Sequence, residues 1–256
     1  MNTPLFDLSG CTALITGGGR GLGKDIAEIF AAYGANIAVC SRRIDNCQET
    51  VEALQSSYPI QAKAYACDIS SEENVNDTVE AVLSDFGRVD ILVNNSGATW
   101  GEKAEKMPLE AWRKVLDVNV TGTFLMSKAV GNHMICNGYG KIINIGSVAG
   151  LKAEPANVLN AIGYSTSKAA VHHFTKDLAR KWAEYGVTVN AIAPGFFETK
   201  MTKHVLEQSG DAIRQNNPMK KLGDPKSLQG TALFLASDAS DFITGQVIAV
   251  DGGSSL

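Results

Sequence analysis

Tyr164 and Lys168, in the stretch GYSTSK at residues 163 to 168, stand four positions apart at the front of the run AAVHHFTKDLARKWAEYG. Residues four apart on a helix leave from the same face, so a helix here would bring a phenol and an ammonium together. Such a pair suits acid–base chemistry at an alcohol or a carbonyl, where a proton is given or taken as the bond order changes. A free phenol, with a pKa of about 10, is too weak an acid for this at neutral pH. An ammonium about 4 Å away, at an effective dielectric near ~20, favours phenolate by roughly 4 kcal/mol before screening. The expectation is that Lys168 pulls the Tyr164 pKa down. With six tyrosines in the chain, composition alone places a lysine four residues after one of them about four times in ten. The pair therefore gains weight only from its company.

A second candidate group is the glycine cluster of TALITGGGRGLGKDIAEIF, residues 12 to 30. It lies between an apolar β-branched run and a helical pattern, where a strand-to-helix turn can approach a pyrophosphate and aim free helix N–H groups at it. The spacing is T-G-x-x-x-G-x-G, carried by Thr16, Gly17, Gly21 and Gly23, with Arg20 and Leu22 between the glycines. An NAD site places an acidic residue at the end of the second strand to receive the ribose hydroxyls. Here that strand ends Cys40-Ser41-Arg42-Arg43, with no carboxylate before Asp45. Arginines there, with Arg20, match a 2′-phosphate, so NADP(H) is the preferred cofactor and NAD(H) the alternative.

The elements that must hold these groups are legible as alternating runs. Short apolar segments recur at 12–16, 36–41, 61–66, 89–94, 141–147, 187–193 and 246–251. Between several of them lie helical patterns such as GKDIAEIFAAYG, NVNDTVEAVLSDFG and the long EAWRKVLDVNVTGTFLMSKAVGNHMI. Strand alternating with helix predicts an α/β fold: one doubly wound Rossmann domain over residues 1–256, its parallel sheet of about seven strands covered by helices on both faces. The least regular part, about 195–225, reads as a substrate loop or lid.

Composition narrows the partners. A net charge of -4 and the lack of a long basic run exclude an electrostatic footprint for nucleic acid. No apolar stretch is long enough to cross a bilayer, and MNTPLFDLSG does not read as a signal peptide, so the cytoplasm is the expected location. Cys11, Cys40, Cys47, Cys67 and Cys136 form no C-x-x-C and read as reduced, mostly buried thiols. His133, His172, His173 and His204 lack zinc-site spacing, so no metal is expected; His172 and His173 read as packing or surface groups. Trp100, Phe196, Phe197, Met201 and Leu206 are candidates for an apolar pocket under the long loop.

Taken in order, the motifs resemble the short-chain dehydrogenase/reductase family, in its branch of about 250 residues. They are the glycine loop, NNSG at 94–97, Asn119, Ser147, Tyr164 with Lys168, and Pro194-Gly195. The resemblance implies that Tyr164 is the acid and base, and that Lys168 also holds the nicotinamide ribose. It implies further that Ser147 bonds the substrate oxygen and that Asn119 anchors a water leading protons outward. It places Asp68 at the adenine and Asn94 and Gly97 beside the nucleoside, and adds Ile69, Asn95, Pro194, Gly195 and Thr199 to the cofactor contacts. Two departures stand out: Ser96 replaces the family's usual alanine, and the sixteen residues between Ser147 and Tyr164 are a few more than usual.

NNSGATWGE and SVAGLKAE look most like 3-oxoacyl thioester reductases, while LFDLSG and ASDFITGQVIAVDGG look like gluconate 5-dehydrogenases. The expected activity is thus an NADPH-dependent carbonyl reductase or alcohol dehydrogenase, first on a 3-oxoacyl group carried by acyl carrier protein or CoA and second on a sugar acid. Enoyl reductases of this fold usually space tyrosine and lysine more widely. A dinucleotide-sensing protein without catalysis is the rival of another class. The resemblance also implies a homotetramer.

Overall fold

The computed structural model describes residues 5–156, 158–199 and 202–256; Met201 and the side chain of His204 lie outside the described residues. Seven parallel strands form one sheet in the order β3-β2-β1-β4-β5-β6-β7. They are β1 (Thr12–Thr16), β2 (Asn36–Ser41), β3 (Ala62–Ala66), β4 (Ile91–Asn94), β5 (Gly140–Ile145), β6 (Val187–Pro194) and β7 (Val247–Val250). Each lies within one or two residues of the apolar run that predicts it. β1 is buried along its whole length. Its alternate residues serve different layers, as a strand's period of two requires: Ala13 and Ile15 enter one core and Leu14 the other.

The first core is closed by α1 (Gly21–Ala32), α2 (Ile44–Ser57) and, near the chain's end, α8 (Pro225–Ala236), through Ile26, Phe30, Leu54, Leu228 and Leu235. The second is closed by α3 (Glu72–Phe86), α5 (Gly122–Asn137) and α6 (Ile162–Trp182), through Val75, Val82, Met126, Met134 and Ala179. The doubly wound single domain expected from strand–helix alternation is the fold observed.

Two expectations are corrected. The long helical pattern that begins near Glu110 is not one helix. It is α4 (Leu109–Leu116), a π-helical turn at Asp117–Thr121, and then α5. A single wide turn keeps the apolar pattern nearly in phase, so periodicity does not reveal it; such turns recur at functional sites. The segment expected as a loop at 195–225 contains α7 (Lys203–Asn216), a regular helix.

Candidate active site

β1 and β4 are parallel neighbours at the sheet's middle; from β1 the chain goes on to β2 on one side and from β4 to β5 on the other, which opens a crevice at their carboxyl ends. The glycine turn lies there. Gly17 has φ 66, a left-handed conformation that a side chain would strain, and a Cβ on Gly23 would fall 2.5 Å from the Gly17 carbonyl oxygen. Asn95 locks the turn: its Nδ2 donates to the carbonyls of Thr16 at 2.9 Å and Gly17 at 3.2 Å. Thr16 Oγ1 in turn accepts the backbone N–H groups of Asn95 and Ser96, both at 3.0 Å. No side chain caps the start of α1 and no acidic residue occupies its first turn, so that end is open to an anion. Arg20, at its N-cap, and Gly21 are exposed and Leu22 is half-buried.

At the neighbouring strand ends Ser41 Oγ donates to the Arg43 carbonyl at 2.7 Å, leaving the Arg42 and Arg43 side chains exposed, with neither in an ion pair among the described residues. Asp68 accepts from Ser70 N at 3.0 Å and Ser70 Oγ at 2.6 Å; these bonds, with Arg42's charge a smaller influence, hold its carboxyl below the usual range against some burial. Ile69 is buried against the start of α5, where Gly122 gives it room. Across the crevice, Pro194 ends β6, Gly195 packs on Asp251, and Thr199 reaches within 3.8 Å of where a Gly21 Cβ would stand. Asn94 is a correction. Its amide is turned inward to Ser127 Oγ at 3.0 Å and Asn144 Oδ1 at 2.9 Å, because its strand position points into the second layer rather than at the crevice.

The second half of the site is built by β5, the π turn and α6. Ser147 follows β5 and caps the short 3₁₀ turn Val148–Gly150, accepting from Ala149 N at 3.2 Å. Tyr164 and Lys168 lie one turn apart at the front of α6, with Lys168 Nζ 5.7 Å from the Tyr164 ring centre. Lys168 Nζ donates to the Ile145 carbonyl at 2.7 Å and stands 3.8 Å from where a Gly97 Cβ would be, so Gly97 keeps the crevice open above the ammonium.

Asn119 projects from the π turn and is buried. Its Oδ1 accepts from Ala98 N at 2.7 Å, and its Nδ2 donates to Ala98 O at 2.9 Å and Ser167 Oγ at 2.8 Å. Ser167 Oγ donates to the Tyr164 carbonyl at 2.7 Å. This amide ties the segment after Gly97 to α6.

The protonation state differs from expectation. Burial raises the Tyr164 pKa above the usual tyrosine range, and a hydrogen bond from the Ser147 side chain opposes part of that rise. Burial also lowers the Lys168 pKa to about 8. Burial is the dominant influence on the phenol in this state, so its shift runs opposite to the one expected from the Tyr164–Lys168 spacing.

Sequence spacing also passed over His172. It is buried one turn beyond Lys168, and its Nε2 accepts from Ser147 N at 3.4 Å. The positions 164, 168 and 172 share one helix face, which is the signal that could have found it. Phe196 and Phe197 line a cavity of about 400 Å³ with Met219, Lys221, Leu222 and Val250, apart from Tyr164; Trp100 and Leu206 are not among its lining residues. A smaller cavity beside it, about 70 Å³, is lined by Lys152, Glu154, Val158, Asn216, Lys221 and Ser254, among others. Among the described residues no three His, Cys, Asp or Glu side chains gather as metal ligands, and no helix is long and apolar enough to cross a membrane.

The family model described as enoyl-(acyl carrier protein) reductase matches residues 17–255. The chain is a member of the short-chain dehydrogenase/reductase family. As such it is an oxidoreductase of a family whose similar members are named for acting on alcohol or carbonyl groups. It is 36% identical over 254 residues to gluconate 5-dehydrogenase of Gluconobacter oxydans, covering 97% of this chain and 96% of that one. It is 36% identical to the 3-oxoacyl-[acyl-carrier-protein] reductase of Aquifex aeolicus, covering 96% of this chain and 98% of that one. Its structure matches that of a gluconate 5-dehydrogenase from Burkholderia cenocepacia in complex with NADP and tartrate, with TM-score 0.93 and 34% identity over 98% of this chain and 97% of that one.

Proposed function

We propose that this protein is an NADP(H)-dependent carbonyl reductase, run in reverse as an alcohol dehydrogenase, with 3-oxoacyl thioesters as the first substrate class. The observation that carries the reading is the meeting of half-buried Tyr164 with the buried Ser147 and Lys168 beside the glycine-turn crevice.

The residues fit a dinucleotide phosphate. An uncapped helix start and the Gly17–Gly23 cradle accept a pyrophosphate, with Arg20 and Leu22 at its edge and Thr199 opposite. Ser41, Arg42 and Arg43 surround the place where a 2′-phosphate would sit, and free guanidiniums there favour NADP(H) over NAD(H). Asp68, Ile69, Asn95 and Gly97 border the nucleoside side; Pro194 and Gly195 border the nicotinamide side. When bound, the nicotinamide supplies the hydride.

This chain's own residues handle the proton. Ser147 orients the substrate oxygen, and Tyr164 donates a proton to it as the alcohol forms. Its raised pKa keeps the phenol protonated at neutral pH, which suits reduction. Lys168, with a pKa of about 8, exchanges protons near neutrality and can return one towards Tyr164. Asn119 acts through position, holding Ala98 and α6 in register.

Trp100, Leu151 and Ile162, each about 45% exposed, offer apolar surface on segments before α4, after Ser147 and at the start of α6, which suits an acyl chain. The charged side chains of Lys152, Glu154 and Lys221 among the apolar lining of the 70 Å³ cavity are what favours the second reading, a sugar acid. α7 and the turns beside it would act as the lid over residues 195–225. Exposed Phe124 on α5, and Phe242 and Leu256 near the chain's end, fit a homotetramer, and a cytoplasmic location belongs to the same proposal. The test follows loss of reduced-nicotinamide absorbance with an acetoacetyl thioester and with 5-ketogluconate. Turnover of the thioester supports the first reading and turnover of 5-ketogluconate alone replaces it with the second. NADPH binding without turnover of any carbonyl in a panel would favour a dinucleotide sensor.

A further inference from the structure

The ring of His172 is only 6% exposed, yet it is a polar ring where an aliphatic side chain would complete the packing. A Cβ on Gly146 would fall 2.1 Å from His172 Nε2, and one on Gly150 would fall 2.9 Å from Cε1. The glycines bracketing the Ser147 turn are thus fitted to this imidazole. Ser147 N donates to Nε2, which must present its lone pair, so the proton of the neutral ring is on Nδ1. Nδ1 has no well-formed hydrogen bond among the described residues.

Burial lowers the His172 pKa to about 4. Contact with the Gly150 backbone works against that fall, and the charges of Lys168 and Lys176 add to it. The ring is therefore neutral at ordinary pH and remains an acceptor. Tyr164, Lys168 and His172 occupy successive turns of one face of α6, so the helix that carries the phenol also grips the backbone of the serine facing it.

We propose that His172 is a positioning residue, whose Nε2 holds the Ser147 N–H and thereby aims the Ser147 hydroxyl at Tyr164. This rests on the reductase reading for its effect on rate, but not for its effect on the Ser147 backbone. The substitution His172→Leu removes the acceptor at similar volume, while His172→Gln offers Oε1 near the place of Nε2. In the intact protein, His172→Leu should lower kcat about tenfold, the scale of one oriented hydrogen bond, with NADPH affinity within about twofold.

His172→Gln should regain most of that loss. In a Ser147→Ala background, His172→Leu should cost no more than about a further twofold, because the two changes remove one unit. Amide exchange at Ser147 should accelerate about tenfold in His172→Leu whether or not any substrate turns over. Unchanged exchange at Ser147 overturns the proposal. So does equal loss of kcat in the leucine and glutamine variants, or a full tenfold loss added to Ser147→Ala. Absence of wild-type turnover alongside faster Ser147 exchange in His172→Leu would sink the reductase reading and leave the backbone role standing.

Discussion

Strand β5 ends in two different environments, and each holds a buried lysine. At its start, Lys141 is 2% exposed and its Nζ meets the Asp241 carboxylate at 2.5 Å. The same end of the sheet is latched by Asp90, which bonds Arg88 and accepts Thr12 N at 2.9 Å. At the other end, Lys168 is 5% exposed and donates to the Ile145 carbonyl at 2.7 Å, with no carboxylate partner among the described residues. One buried cation has a counter-ion and the other has only a dipole. A counter-ion makes the first a structural tie. The second carries an uncompensated desolvation cost, which appears as its lowered pKa of about 8. The fold tolerates that cost where a ligand and a proton are expected to arrive.

The sharpest test of the reactive end is Tyr164→Phe, which keeps the ring and removes the proton. Turnover should fall by about 10²–10⁴ while NADPH affinity, measured by fluorescence titration, changes less than about threefold. Retained turnover would mean that another group supplies the proton.

The lysines themselves give the next contrast. Lys168→Met should lower kcat at least about a hundredfold without loss of thermal stability, since replacing an unpaired buried charge by an apolar chain is often neutral or stabilising. Lys141→Met should leave kcat within about twofold. Its stability cost should be near ~1 kcal/mol, because the abandoned Asp241 is 59% exposed and remains hydrated. Loss of activity in Lys141→Met with an intact fold would erase the distinction. At the far side of the crevice Arg42→Ala should weaken NADPH about ten- to a hundredfold and NADH less than about threefold, the size of a lost charge-assisted bond. Equal loss for both dinucleotides would remove the preference for NADP(H).

Much of this was legible in the sequence because the sheet is buried on both faces and its strands are therefore continuous apolar runs, as in TALIT and VTVNAIA. The glycine turn and the Tyr164–Lys168 spacing were legible because both depend on local geometry. What could not be read depends on contacts distant in the chain. The π turn at Asp117–Thr121 hardly disturbs the apolar period, yet it is what directs Asn119 to Ala98 and Ser167. The Ile145 carbonyl that receives Lys168 is twenty-three residues away in sequence, and no spacing rule assigns it. Asn94 and Asn95 are adjacent and chemically identical; only the strand's alternation sends one inward and the other to the glycine turn. α7 was missed because its apolar residues are few: Val205, Leu206 and Ile213, with Ala212 exposed.

The last contrast concerns the pH dependence of stability. The folded-state pKa of Lys168, about 8, lies below its ordinary value of 10.5. Between those values the unfolded chain binds more protons than the folded one, so raising the pH stabilises the folded protein there. Below about pH 8 both states are protonated and the full cost of burying the charge is felt. From pH 8 to 10 the urea midpoint of the wild type should therefore rise relative to that of Lys168→Met, which has nothing to deprotonate. Comparing the two proteins cancels the other groups that titrate in this window, including thiols. A wild-type curve parallel to that of Lys168→Met would mean that the ammonium at the active end is compensated after all, and the contrast between the two ends of β5 would fail.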